Sequence, residues 1–436
     1  MTQQTAQPIA LDPSFGNDGV CLIKHPSLQY FRITSVGPGP DGKLYFSGHT
    51  MAGQYGYILG RLHSNGDFDT TFGDQGLVRG NFLGQPSVAL SFAILKGGAT
   101  DGYIVLSGRS EYLTRDHLAF ARFDPSGILD PRFGTRGISV LDIELTSASS
   151  PSSEEASPAT ATASQDSGVL ALLPDGKMLA FKQHTVSTVG QSFGLLVRVD
   201  HNGFLDKTFN QVGYTRVIHP SYSNRVTSLM NIRVQADGNY MGCGQVWDRR
   251  NPGRALFVRY TPDGNLDPSF GADGFTLIDD KKTAYDLRLM AMTHQPNGRT
   301  LGAGVVSSSP HGMGLLTSIE PDGALNIQFN GAEPLFTSLD SNHNTEWTGC
   351  ATQKDNKIVV VGYVGRVGTD IYSAVARVEY NGTLDPAFNN GAGWGPIPFN
   401  DKKFAPTGMA LQDDGKLLVS AEYGSSAHGA IVRCLL

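Results

Sequence analysis

Short apolar runs alternate with turn dipeptides from one end of the chain to the other. Runs such as LYFSG (44–48), YIVLSG (103–108), KIVVVG (357–362) and KLLVS (416–420) recur, with turns such as Asp41-Gly42, Asp175-Gly176, Asp237-Gly238, Asn297-Gly298 and Asp414-Gly415 between such runs. Asp-Gly and Asn-Gly between apolar segments predict tight hairpins. A second run follows in each period (YILGRL from Tyr57, HLAFARF from His117, GLLVRV from Gly194, ALFVRY from Ala255, SAVARV from Ser373, AIVRCL from Ala430). These runs are apolar on nearly every residue, as expected of strands buried on both faces, and no long amphipathic helical pattern competes with them.

One motif closes each period. It reads LDPSFGNDG from Leu11, FDTTFGDQG from Phe68, LDPRFGTRG from Leu129, LDKTFNQVG from Leu205, LDPSFGADG from Leu266, LNIQFNGAE from Leu325 and LDPAFNNGA from Leu384. The period is about 60 residues, and a short strand such as GVCLI (19–23) or GISVL (137–141) follows the motif. Each repeat therefore predicts four strands. Seven such units predict an all-β, seven-bladed β-propeller of four-stranded antiparallel blades, because radial stacking buries both faces of every sheet. The chain reads as a single domain over 1–436, its ring closed by the N-terminal strand completing the last blade. Residues 144–168, rich in Ser, Ala and Thr, read as a flexible low-complexity insertion.

Inside the third strand an Arg recurs at Arg61, Arg122, Arg198, Arg259, Arg377 and Arg433, and an Asp follows eight residues later at Asp69, Asp130, Asp206, Asp267 and Asp385. The sixth repeat has Ser318 and Asn326, so both partners are lost together. An Arg in a strand buried on both faces needs a carboxylate, since an unpaired buried charge costs several kcal/mol. These pairs are expected to be structural. Arg433 has no Asp downstream, so Asp12 is its expected partner.

The repeated LDPSFG-type motif after an xDG hairpin resembles the bacterial delta-60 repeat family, a resemblance covering essentially the whole chain. It implies a β-propeller and supplies no catalytic residues. Asn210, Asn330 and Asn389 replace the motif glycine, which fits a left-handed backbone position there.

Composition narrows the partners. Charged residues are 17% of the chain and the net charge is −6, so no basic field exists for nucleic acid, and no apolar stretch approaches a membrane span. Met1–Ala10 lacks a charged n-region and an apolar h-region, which predicts a protein in the cytoplasm or released without a Sec signal. Cys21, Cys243, Cys350 and Cys434 are far apart and read as reduced core thiols, with Cys21 and Cys434 on strands expected to be neighbours. No metal-ligand spacing, no catalytic motif and no cofactor fingerprint is present, so neither a metal nor a cofactor is expected.

Recognition is expected on the face of variable loops opposite the motif. Candidate contacts there are Trp247, Arg249, Arg250, His343, Trp347 and Trp394, since Trp and Arg dominate binding hot spots. The expected function is a monomeric, non-catalytic scaffold for a protein or glycan partner. The alternative is an enzyme or small-ligand binder with a site at the mouth of the central channel.

Overall fold

The computed structural model describes residues 6–436 apart from 52–54, 113–114, 144, 146–169, 187–190, 223–225, 249–250, 281–284, 308–310, 366–370, 400–404 and 424–427. The expected insertion 144–168 lies outside the described residues except for Leu145, as do Arg249 and Arg250.

The fold is all-β and built mostly of four-stranded antiparallel sheets. The sheet that contains Phe31–Pro38, Leu44–Thr50, Tyr57–Leu62 and Leu77–Gly80 runs in chain order, and four others have the same width. One sheet departs from the four-strand expectation. It has eight strands, because a single parallel pairing of Phe193 with Thr227 joins two four-stranded groups. The last sheet is completed from the far end of the chain: Val20–Leu22 pairs antiparallel with His428–Cys434, placing Val20 opposite Val432.

Third strands are mostly buried, as in Tyr57–Leu62, where every residue is buried. Among the described residues six hydrophobic clusters join neighbouring sheets, and a seventh joins the two four-stranded groups of the eight-stranded sheet. One of them packs Phe15, Cys21, Leu418 and Ile431 of the last sheet against Ile33, Phe46 and Ile58 of the first. The first strand of five four-stranded sheets, and of the second four-stranded group of the eight-stranded one, carries a bulge at one shared level, at Thr34, Leu90, Met230, Met290, Thr348 and Thr407. The second-strand glycines Gly48, Gly108, Gly244, Gly304 and Gly362 lie beside these bulges. A Cβ on any of them would come within 2.2 Å of a first-strand carbonyl oxygen, such as Arg32 O or Glu346 O, so close approach demands glycine.

In the motif loop the backbone is left-handed, with φ of 56° at Gly16 and 53° at Gly73; Asn210, Asn330 and Asn389 take the same turn at 47°, 48° and 48°. Asn is the side chain that tolerates this region best. The loop N–H then reaches the next unit: Gly73 N–H donates to Ser126 O at 2.8 Å, Gly134 N–H to Asn202 O at 2.7 Å and Gly16 N–H to Asn65 O at 2.7 Å.

All cysteines are free and buried. Cys21 sits opposite Ile431 rather than Cys434, and its thiol lies 3.2 Å from Gly66 O.

Candidate functional site

At the motif end of the sheets the Arg and Asp side chains meet. The guanidinium–carboxylate distances are 2.8 Å for Arg61–Asp69, 2.8 Å for Arg122–Asp130, 2.7 Å for Arg198–Asp206, 2.7 Å for Arg259–Asp267, 2.6 Å for Arg377–Asp385 and 2.8 Å for Arg433–Asp12. Each Arg also lies over the motif Phe, as Arg61 does over Phe72 at 4.7 Å and Arg433 over Phe15 at 4.7 Å. In the sixth repeat Asn326 Nδ2 donates to Ser318 Oγ at 3.1 Å, a neutral pair in the same place. Phe329 stays buried there without an Arg, so core packing alone accounts for the invariant Phe.

These Arg groups reach beyond their own sheet. Nη1 donates to a carbonyl in the turn of the following unit: Arg61 to Pro125 O at 2.5 Å, Arg122 to His201 O at 2.5 Å, Arg259 to Pro321 O at 2.6 Å and Arg433 to Ser64 O at 2.6 Å.

A second cation from the first hairpin also meets the Asp. Lys177 is 3.0 Å from Asp206, Lys357 2.8 Å from Asp385 and Lys416 2.9 Å from Asp12, and Lys43 pairs with Asp69. The residue after the turn was the readable signal for this, in DGK at 41–43, 175–177 and 414–416. Burial by itself would raise these carboxyls. Hydrogen bonds from the Lys and the backbone, joined at Asp12, Asp69 and Asp206 by one from the flanking hydroxyl, together with the Arg charge, outweigh it and hold Asp206 and Asp385 at about 2, with Asp12 and Asp69 lower still. Saturated by partners, these groups can hold the fold and have little capacity left for chemistry.

The opposite, variable-loop end is different. Trp247 closes the strand Tyr240–Asp248 and is 36% exposed. His343 Nδ1 lies 2.9 Å from Asp340 Oδ2. Trp347 is 1% exposed within Asn344–Thr352, its Nε1 donating to Thr337 Oγ1 at 2.7 Å, so it is a core residue rather than a surface anchor. Trp394 is half-buried at the start of the edge strand Trp394–Pro396, opposite Ala376 and next to the motif loop, which puts it at the other end of its sheet. Trp347 and Trp394 pack in one hydrophobic cluster, and neither Trp247 nor His343 belongs to it.

The structure gathers residues that sequence reasoning missed. Cross-strand pairs just before the bulges, Arg32 with His49, Val88 with Arg109, Ser228 with Gln245, Arg288 with Val305, Glu346 with Tyr363 and Ala405 with Glu422, share one level of the first and second strands. Arg32 Nε donates to Glu422 Oε2 at 2.7 Å across two sheets. Burial, then the Arg32 and Arg109 charges, lower the His49 pKa to about 4 against a hydrogen bond to the Ala89 backbone, so the imidazole is neutral at pH 7. Burial lowers Arg288, with Glu346 and Tyr363 opposing; burial, then Glu346, pushes the Tyr363 phenol well above its ordinary value.

On the same end, at the first sheet, a cavity of about 430 Å³ opens among the connection carrying Ser27, Gln29 and Tyr30, the second hairpin at Thr50, and the edge strand at Arg79 and Asn81. Tyr30 is 47% exposed. Among the described residues no group of three or more His, Cys, Asp or Glu is placed to hold a metal ion, and no helix is long and apolar enough to cross a membrane.

Three segments, residues 39–72, 235–270 and 353–388, match the model of a family described as a domain of unknown function (DUF5122) beta-propeller, which supports a β-propeller family for this chain. No curated protein matches it. Among solved structures, a protein of unknown function from Dyadobacter fermentans has a TM-score of 0.45 at 10% identity, covering 96% of this chain and 98% of that one. The beta-propeller domain of the Trilobed protease from Pyrococcus furiosus has a TM-score of 0.44 at 9% identity, covering 93% and 96%. The PQQ-bound aldose sugar dehydrogenase from Streptomyces coelicolor has a TM-score of 0.44 at 12% identity, covering 95% and 97%.

Proposed function

We propose that residues 1–436 form one closed seven-bladed propeller of the delta-60 type, a monomeric, non-catalytic scaffold that recognises a protein or glycan through its variable-loop face. Closure is supported by the Asp12–Arg433 pair and by Arg433 donating to Ser64 O, the same inter-unit bond that Arg61 makes to Pro125 O. The observation that carries the function is the cavity on the variable-loop face, which gathers aromatic, amide and guanidinium groups from three separate segments. Trp247, with Arg249 and Arg250 beside it in sequence, is the second contact region on that face, and His343 adds a polar group to its rim.

A second reading keeps the channel mouth as a small-ligand or catalytic site. The collar of Arg32, His49, Arg288, Glu346, Tyr363 and Glu422 favours it, since His49, Arg288 and Tyr363 in it have shifted ionisations and such shifts cluster at working sites. The Arg32–Glu422 bond between sheets gives the collar a cohesive role as well.

A glycan array and a pull-down with the purified protein, each repeated on Trp247→Ala, Tyr30→Ala and Glu346→Gln, test the proposal. Selective binding lost in Trp247→Ala or Tyr30→Ala supports recognition at the variable-loop face. Binding lost only in Glu346→Gln transfers the function to the channel mouth and overturns the scaffold reading.

A further inference from the structure

The cavity at the first sheet has a definite chemical character. Its rim offers hydroxyls from Ser27 and Thr50, amides from Gln29 and Asn81 and the guanidinium of Arg79, and the Tyr30 ring stands at its edge. Nothing in this lining is a carboxylate, so a cationic ligand finds no counter-charge. So many hydrogen-bonding groups around one aromatic face also suit a wholly apolar ligand poorly, because they would be desolvated without partners.

The walls are fixed before any ligand arrives. His25 Nδ1 and Ser27 Oγ are 2.7 Å apart, and Arg79 Nη1 donates to Ser27 O, so the connection is tied to the edge strand. Gly56 N–H donates to Thr50 Oγ1 at 2.9 Å, Met51 N–H to Tyr30 O at 2.8 Å, and Gly84 N–H to Asn81 Oδ1 at 3.1 Å. Beneath them the buried Tyr57 packs on Phe82 with ring centroids 5.0 Å apart. A site held this way loses little entropy on binding.

A ligand that fits has one apolar face, a rim of hydroxyls and a size within about 430 Å³. We propose that this cavity binds one pyranose unit of a carbohydrate, its C–H face against Tyr30 and its hydroxyls toward Gln29, Asn81 and Arg79. The inference rests on the reading of the variable-loop face as the recognition surface and names what part of that face takes.

Ligand-observed saturation-transfer NMR on the full chain tests it, with methyl pyranosides of glucose, galactose, N-acetylglucosamine and glucuronate as probes and inorganic phosphate as the anion control. At least one pyranoside should bind with a Kd on the order of 1 mM, the range open to so small a ligand. Tyr30→Ala should weaken it about tenfold or more, since it removes the aromatic face, while Tyr30→Phe keeps it and Asn81→Ala weakens it. Tyr380→Ala, an exposed side chain on a turn at the motif end, should leave it unchanged. No transfer from any pyranoside, binding indifferent to Tyr30→Ala, or a response to phosphate alone overturns the proposal. Saccharide binding that survives Tyr30→Ala and disappears in Trp247→Ala overturns the pocket and leaves the face reading standing.

Discussion

The sixth repeat is a natural double substitution, and it turns the role of the buried ion pairs into a measurable quantity. The test site is Arg259–Asp267, because residue 239 is Asn and supplies no second cation there. Arg259 Nε meets Asp267 Oδ2 at 2.7 Å, its Nη1 donates to Pro321 O at 2.6 Å, and both side chains are 9% exposed. Arg259→Ser leaves a buried carboxylate with only the Ser269 hydroxyl and N–H, and removing one partner of a buried pair costs about 3–5 kcal/mol. Asp267→Asn leaves the guanidinium uncompensated and belongs to the same range. The double variant has no orphaned charge and can form the amide–hydroxyl bond that Asn326 makes to Ser318. It still loses the bond to Pro321 and the contact with Phe270. Its cost should fall short of the sum of the singles by about 2 kcal/mol, within the range of coupled neighbours. Urea denaturation of the four proteins gives the cycle directly. For 436 residues the unfolding entropy is about 0.9 kcal/mol/K, so each kcal/mol corresponds to about 1 °C in Tm. Costs that add to within about 0.5 kcal/mol would refute the pairing argument.

Other consequences follow from the same contacts. Asp206 and Asp385 fall from 3.8 to about 2 in the fold, so each contributes roughly 2 kcal/mol that is fully present above pH ~4 and lost as pH falls through about 2. Tm should be flat near neutrality and drop below pH ~4, and Asp385→Asn should flatten that drop; an acid profile identical to the parent's counts against it. Deleting residues 1–23 removes Phe15 and Ile23 from the core along with Asp12, and should lower stability by at least the ~3–5 kcal/mol of a lost core Phe; an unchanged Tm in a thermal scan discards closure through the Asp12–Arg433 pair. Burial pushes the Cys21, Cys350 and Cys434 thiols up to about 12, so a disulfide reagent at mildly alkaline pH should label none of the four cysteines until the protein is unfolded. Rapid labelling of the native protein would show that these strands open.

Much of the architecture was legible because it is written once per period. A turn dipeptide, an apolar run and an LDxxF motif recur, and each recurrence tests the others. The Arg–Asp spacing was readable for the same reason, since Arg at one position and Asp eight later can hardly be independent. Features that occur once were opaque. From sequence Trp347 reads as a loop residue, an unrepeated Trp beside polar residues, yet the first strand starts at Asn344 and carries it into the core. Trp394 likewise reads as a loop residue from sequence, whereas the edge strand begins at once after the motif and includes it. The collar gave no local signal at all. Arg32 and Glu422 stand 390 positions apart and meet only because the last sheet packs against the first. The glycine after each second-strand run was the nearest clue, for it marks the bulge level one residue before His49, Arg109, Gln245 and Tyr363.

The two ends of the sheets thus follow different rules, and the difference bears on where function can reside. At the motif end each of the six Asp is held by an Arg and a backbone N–H, in four units also by a hydroxyl and in several by a Lys, and every such Arg that reaches onward ties its unit to the next. A substitution there disturbs two neighbouring sheets at once, so this end is constrained to repeat. At the variable-loop end the backbone bonds of the strands are already satisfied, and each connection can change without unpairing its neighbours. The cavity at Tyr30 uses a connection, a hairpin and an edge strand whose side chains differ from those at equivalent points of the other units. Ligand contacts built from such singular residues cannot be found by aligning the repeats. They are found where the repeat fails.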